Sequence, residues 1–369
     1  MPIRGPRRPT RSTTVAEPTG SPTSASDAEL VAAVERRVSA VLTGERRRWA
    51  ALDPALDEPL AALERLVLAG GKRLRPRFCH WGFVAAGGDP ADDRVVDAGA
   101  ALELLHAFAL VHDDVMDGSD TRRRQPAVHA EFRAAHERND WRGEARRFGE
   151  GVAILVGDLA GVFADRLLAD APDAARAAWH ELKIEINVGQ YLDVVGTVQG
   201  ATPLESARRI SRYKSGKYTI ERPLHLGAAL AGDLERLQAP LSAYGDPLGE
   251  AFQLRDDLLG AFGDPAVTGK PVGDDLQEGK PTPLLAIARQ RASPAQLGVL
   301  AEVGRADLDD GGVAGVQDVL VATGAVDEIE RTIAARRDGA VAAIERAPIA
   351  AAARAALVEL AAVVTDRTA

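Results

Sequence analysis

The sequence predicts a single all-α domain, and three observations carry that expectation. Hydrophobic residues make up 46% of the 369 positions but aromatics only 4%, so a core must be filled by Ala, Leu and Val, and Ala and Leu favour helices. Apolar positions recur at helical spacing in long blocks separated by short Gly- and Pro-containing breaks. No convincing strand pair or internal repeat competes with that pattern.

Taken in order, Met1 to about Ser26 is rich in Pro, Ser, Thr and Arg and has no apolar block. Such a segment buries too little to offset the entropy of ordering, so residues 1–27 are expected to form a disordered tail ahead of one domain at 28–369. The tail also lacks the continuous apolar stretch of a signal peptide, which points to the cytoplasm. Helices are expected at Ala28–Trp49 and Pro54–Leu68, then, after the Gly70-Gly71 break, at Arg75–Ala86. Gly87-Gly88-Asp89-Pro90 interrupts before Arg94–Asp117. Gly151–Leu168 and Ala174–Val194 follow, then a break at Gly200–Pro203 and helices at Pro203–Ala231 and Leu234–Phe262. The long Gly263–Pro283 connection carries Lys270, Asp274, Asp275 and Lys280, which suits a functional lid. Pro283–Arg291 and further helices beyond Pro294 complete the chain, the last at Ile349–Thr365.

A net charge of −9 argues against nucleic acid or an anionic membrane as the principal partner. An anionic small molecule stays open, because local clusters decide that. Cys79 is the only cysteine, which excludes an intrachain disulfide and a zinc–cysteine site. The seven His show no HExxH-type spacing, and no GxxxxGK[ST] loop is present. No run of about twenty uninterrupted apolar residues reads as a membrane span.

Two acidic clusters stand out, HDDVMD at His112–Asp117 and RDDLLG at Arg255–Gly260. Asp113 and Asp117 are four apart, so on a helix both carboxylates leave one face. Leu102, His106 and Ala109 share that sector, which runs from apolar to acidic along the helix. Acid at a helix C-terminus opposes the macrodipole, so a compensating cation is expected. An isolated cluster of this kind is more often a solvated helix end, but here a second pair, Asp256 and Asp257, suggests a diphosphate held through Mg²⁺ between two acidic faces. Basic groups for such an anion come from Gly70-Gly71-Lys72-Arg73-Leu74-Arg75, from Arg122, Arg123 and Arg124, and from Lys214, Lys217, Lys270 and Lys280.

In this combination the chain resembles the trans-isoprenyl diphosphate synthases, the polyprenyl synthetase family, most closely its bacterial geranylgeranyl diphosphate synthases. The motifs are GGKRLRP (Gly70–Pro76), HAFALVHDDVMDGSDTRRRQPAVH (His106–His129), GQYLD (Gly189–Asp193), YKSGKYT (Tyr213–Thr219) and FQLRDDLLGAFGDPAVTGKPVGDDLQEGK (Phe252–Lys280). The resemblance implies a bundle of antiparallel helices around a central cavity, in a homodimer. It implies Mg²⁺-dependent 1'-4 condensation of isopentenyl diphosphate with an allylic diphosphate, both small-molecule partners.

By position, Asp113, Asp117 and Asp256 would hold Mg²⁺, with Asp257 behind them. Arg122, Lys214, Lys270 and Lys280 would bind the allylic diphosphate. Lys72, Arg75, His106 and Arg123 would bind that of isopentenyl diphosphate. Gln190, Asp193, Ser215 and Gln253 would line the place where the allylic cation forms. His112, Arg73 and the Asp274/Asp275 pair are further candidates, Asp275 fitting the lid spacing better. Phe108 followed by small Ala109, with Leu105 as a candidate floor, implies a twenty-carbon product, farnesyl or longer chains being the alternative. An ideal helix points Phe108 away from the Asp113 face, which leaves its part in the cavity open. Two positions depart from the family pattern: Gly260 stands where many relatives have a third Asp, and Arg124 where Gly is usual. A terpene cyclase would need no GGKRLRP site, and a non-catalytic partner subunit would be expected to lack the acidic motifs.

Overall fold

Helix follows helix along the chain in this computed structural model, which describes residues 22–263, 272–305 and 307–366. The first, α1 (Pro22–Ala50), begins before the expected boundary at residue 27. Asp27 is buried inside it and accepts hydrogen bonds from Trp81 Nε1 (2.8 Å) and Arg77 Nε (2.6 Å). These two bonds, not readable from the chain alone, draw α1 onto the domain. A single 3₁₀ turn at Pro54–Leu56, capped by the Asp53 side chain, leads into α2 (Asp57–Leu68). The glycine break then delivers α3 (Leu74–Ala85).

Helix α4 (Asp93–Asp117) is capped by Asp92 at its start and ended by Gly118 in the left-handed conformation. Among the described residues it alone has the length and apolar composition of a membrane span. Its Val95, Ala98, Leu102, Leu104, Leu105 and Val111 are instead packed in the protein core. A two-stranded hairpin, β1 (Thr121–Arg122) and β2 (Gln125–Pro126), turns through Arg123 and Arg124, both at positive φ. Positive φ at both central residues is what a tight hairpin turn demands.

Helix α5 (Val128–Arg138) was not legible in the sequence. Next come α6 (Ala145–Leu167) and α7 (Asp173–Gln199), each longer than expected at one end. The expected helix at Pro203–Ala231 is three joined segments: α8 (Leu204–Ser211), a π-helical stretch at Arg212–Glu221, and α9 (Arg222–Leu230). After α10 (Leu234–Phe262) a short α11 (Asp274–Gln277) lies within the segment expected to form a lid. The chain then forms α12 (Pro283–Arg291), α13 (Pro294–Leu300), α14 (Asp310–Ala322), α15 (Ala325–Glu345) and α16 (Ala351–Thr365).

Three apolar clusters hold these elements. One surrounds α4, a second joins α3, α9, α10 and α16, and a third packs α10 against α12, α14 and α15. Their Ala-rich composition lets helices approach closely. Between them a cavity of about 640 Å³ is walled by α3, α4, α7, the π-helical stretch, α10 and α11.

Candidate active site

The C-terminal turn of α4 brings Asp113 and Asp117 to one face, as their spacing predicts, with Asp113 lining the cavity and Asp117 close behind it. Asp113 Oδ1 accepts from Lys214 Nζ at 2.8 Å and from Gln190 Nε2 at 2.9 Å. Lys214 Nζ also donates to Asp193 Oδ2 at 2.6 Å. One carboxylate oxygen each from Asp113, Asp117 and Asp193 lie within 4.8 Å of one another. Burial disfavours ionising Asp113, but the Lys214 and Lys280 charges outweigh it and hold the carboxyl well below the usual range. Asp117 goes the other way: burial, then Asp113, pushes it up to about 6. Its buried Oδ2 has no hydrogen-bond donor among the described residues, the Lys280 ammonium lying 3.5 Å off. Crowded carboxylates with an unsatisfied buried oxygen form a donor set suited to a hard divalent cation.

Lys214 is aimed by the π-helical stretch, whose extra residue per turn alters which side chains face inward. Close approach fixes that stretch. A Cβ on Gly189 of α7 would stand 2.2 Å from Lys214 N, and one on Gly249 of α10 would stand 2.8 Å from Gly216 O. Ser215 also lines the cavity. Lys217 does not, being buried between Glu185 (3.1 Å) and Glu221 (3.0 Å).

A second basic group lies along α3 and the hairpin. Arg75, His106 and Arg123 line the cavity, with Lys72 at its exposed edge. Arg123 Nη1 donates to Gly70 O (2.8 Å) and Leu66 O (3.1 Å), tying the hairpin to the glycine break. Arg73 touches the cavity wall, but its guanidinium is buried against Glu35, Glu103 and the Val67 carbonyl. Arg122 is clamped by Asp114 and sits 3.7 Å from Asp113 Oδ2. His112 packs on Gly157 and places Nε2 3.1 Å from Ile154 O.

On α10, Asp256, Asp257 and Gln253 face the cavity from the far side. Gln253 Nε2 donates to Asp257 Oδ1 at 2.9 Å, while Asp257 Oδ2 is buried without a hydrogen-bond partner among the described residues. Burial pushes the Asp257 carboxyl well up, with Gln253 opposing. Lys280 reaches Asp275 (3.2 Å), Glu278 (2.6 Å) and Asp117 (3.5 Å), so the segment carrying α11 meets the first acidic cluster. Ser119 Oγ, just after that cluster, donates to Glu278 at 2.6 Å. Lys270 lies outside the described residues.

The apolar end of the cavity is formed by Phe108, Ala109, Leu110 and, across from them, Ile186. Phe108 lies edge-on to His112 (centroids 4.6 Å apart) and against Gly161 of α6. Despite the ideal-helix geometry, it reaches the wall. Leu105 does not: it is 1% exposed, packed in the core around α4, so the expectation that it forms the floor is corrected.

The sequence profile of the polyprenyl synthetase family matches residues 57–316. The chain belongs to that family. It is a trans-prenyl diphosphate synthase, a transferase. Among curated relatives, geranylfarnesyl diphosphate synthase of Aeropyrum pernix is 34% identical over 275 residues, covering 72% of this chain and 80% of the relative. Geranylgeranyl diphosphate synthase of Mycobacterium tuberculosis is 34% identical over 259 residues, 65% of this chain and 69% of the relative. Among solved structures, geranylgeranyl pyrophosphate synthase of Corynebacterium glutamicum, complexed with isoprenyl diphosphate and magnesium, is 40% identical. It superimposes with a TM-score of 0.87 over 92% of this chain and 99% of that one.

Within this polyprenyl synthetase, Gly260 has a local physical reason. A Cβ there would stand 1.8 Å from Asp275 Oδ2. The Asp275 carboxylate takes the space a third aspartate on α10 would need. Sequence reasoning also missed Tyr218, Thr219 and Ile186 on the cavity wall. Tyr218 lies four residues beyond Lys214 inside a quoted motif, which was the available signal.

Proposed function

We propose that this synthase condenses isopentenyl diphosphate with an allylic diphosphate by 1'-4 joining, with geranylgeranyl diphosphate as its main product. The observation that carries the reading is the meeting of two acidic helix ends and two separate basic groups on one cavity with an apolar end.

In this reading Asp113, Asp117 and Asp256 hold Mg²⁺, with Asp257 behind them. The unsatisfied buried oxygens of Asp117 and Asp257 fit such an ion. Bound there, Mg²⁺ supplies Lewis-acid stabilisation of a departing diphosphate. Lys214, Arg122, Lys280 and Lys270 bind that same allylic diphosphate, and Lys214, held ionised by Asp113 and Asp193, donates to its developing charge. Lys72, Arg75, His106 and Arg123 orient isopentenyl diphosphate alongside, so that its double bond meets the allylic carbon. The Gln190, Asp193, Ser215 and Gln253 dipoles face the cation, and the apolar wall keeps water from it. The proton lost at the end passes to the departed diphosphate. Small Ala109 beside Phe108, with Phe108 lying back on Gly161, supports a twenty-carbon product. An apolar stripe on α6 and α7 supports a homodimer.

Purified enzyme supplied with labelled isopentenyl diphosphate and five-, ten- or fifteen-carbon allylic diphosphates should release a twenty-carbon product, and excess EDTA should abolish turnover. A main product of fifteen carbons, or of more than twenty, would overturn the length assignment. Full activity in EDTA would overturn the metal assignment.

A further inference from the structure

Tyr218 is buried in the cavity wall on the π-helical stretch, 6% exposed. Arg75 lies across its ring, with Cζ 4.2 Å from the ring centre. The same guanidinium, through Nη2, donates to Tyr218 Oη and to Thr219 Oγ1 (3.0 Å). A guanidinium only donates, so Tyr218 Oη accepts from it. Tyr218 Oη also lies 3.2 Å from His106 Nδ1. Directing the hydroxyl hydrogen there satisfies both groups. The alternative, with His106 donating, would leave that hydrogen without this acceptor.

We propose that Tyr218 is a positioning residue for the isopentenyl diphosphate pocket, fixing the Arg75 guanidinium and holding His106 as the Nε2–H tautomer. A neutral imidazole carries one N–H, and the bond made by one nitrogen decides which. With Nδ1 accepting from Tyr218, Nε2 becomes the donor that His106 brings to the cavity. Two further features agree. Burial, then Arg75, Arg123, Arg122 and Arg73, keeps His106 from protonating, and burial keeps the Tyr218 hydroxyl intact. Arg75 Nε is buried with no hydrogen-bond partner among the described residues, a donor that an anion in the cavity would satisfy. The proposal rests on the substrate assignment made above.

The test is Tyr218→Phe, which keeps the ring under Arg75 and removes only the O–H. It should raise the KM for isopentenyl diphosphate by about tenfold, the loss of one charge-assisted hydrogen bond. The KM for the allylic diphosphate and kcat at saturation should stay unchanged. Ring ¹⁵N spectra of histidine-labelled wild-type enzyme, with His106 assigned by loss of its signals in His106→Gln, should show the Nε2–H tautomer at neutral pH. In Tyr218→Phe they should move to a tautomer mixture. An Nδ1–H or doubly protonated His106 in the wild type overturns the proposal, as does an unchanged KM or a loss confined to kcat. A wild type that consumes no isopentenyl diphosphate would instead overturn the substrate assignment, while its His106 spectrum would still test the Tyr218 bond.

Discussion

Ala109 sits one helical turn from Asp113, where in the proposed reaction a chain growing from the acidic end would pass, and Phe108 beside it already borders the cavity. Ala109→Phe should therefore shorten the main product to fifteen carbons while condensation continues, which chromatography of the dephosphorylated products would read. An unchanged product length would show that the chain takes another path. His225 makes a different residue-scale argument, about stability. Arg222 Nη1 lies 3.2 Å from His225 Nδ1 and can only donate, so Nδ1 is bare and Nε2 carries the hydrogen toward Ser242 Oγ at 3.1 Å. Ser242 in turn donates to Glu221 at 2.7 Å. Burial lowers the imidazole to about 4 from its ordinary 6.5, Glu221 opposing and Arg222 adding to the shift. Because the folded value is the lower one, the unfolded chain takes up this proton first as pH falls. Stability is lost between pH 6.5 and about 4. From pH 7 to pH 5 the loss from this residue is about 2 kcal/mol. Urea unfolding at both values should show it, and His225→Gln should flatten the difference. An equal slope in both proteins would place its origin elsewhere.

At the scale of elements, the π-helical stretch decides where Lys214 points, and glycines on its neighbours let it lie close. Gly189→Ala should gain up to about 1 kcal/mol in helix propensity. The new methyl, however, meets Lys214 N, and overpacking of that kind costs about 1–3 kcal/mol. We expect a lower unfolding midpoint and a roughly ten- to hundredfold loss of kcat/KM for the allylic substrate. Gly151→Ala on α6, where a Cβ meets nothing within 4 Å, is the matched control and should be neutral or stabilising. If both substitutions behaved alike, close packing would not be what aims Lys214. This element also marks the limit of what the sequence discloses. Helical spacing predicts α4 and brings Asp113 and Asp117 to one face, because both facts depend only on local geometry. The π turn, by contrast, comes from packing by α7 and α10. Helix α5 escaped notice because Arg133, His136, Glu137 and Arg138 blur its apolar period. Arg73 and Arg75 look alike in the chain, and only Glu35 and Glu103, brought by α1 and α4, make the first structural.

For the molecule as a whole, the cavity and the three cores account for most large apolar side chains, and the conspicuous remainder is organised. On α7, Ile184, Val188, Tyr191 and Val198 are exposed at spacings of four, three and seven, Tyr191 by 69% and Val198 by 80%. That is the seam spacing of a helix packing against another helix. Ile154, Leu155 and Val162 expose a second apolar run on α6. The two helices are joined where Asp165 accepts from Trp179 Nε1 (2.7 Å) and Lys183 Nζ (2.7 Å). An apolar surface of this extent is unusual on a chain that stays alone in water. A self-complementary two-fold contact would cover it in both copies at once. Sedimentation of the wild type should accordingly give a dimer at micromolar concentration. Val188→Asp with Leu155→Glu should give a monomer, because each places a charge in a desolvated seam. Asp113 and Lys214 are held by bonds within one chain, so that monomer should keep its thermal transition. A wild type that sediments as a monomer, or a double variant that stays dimeric, would mean this stripe is not the contact.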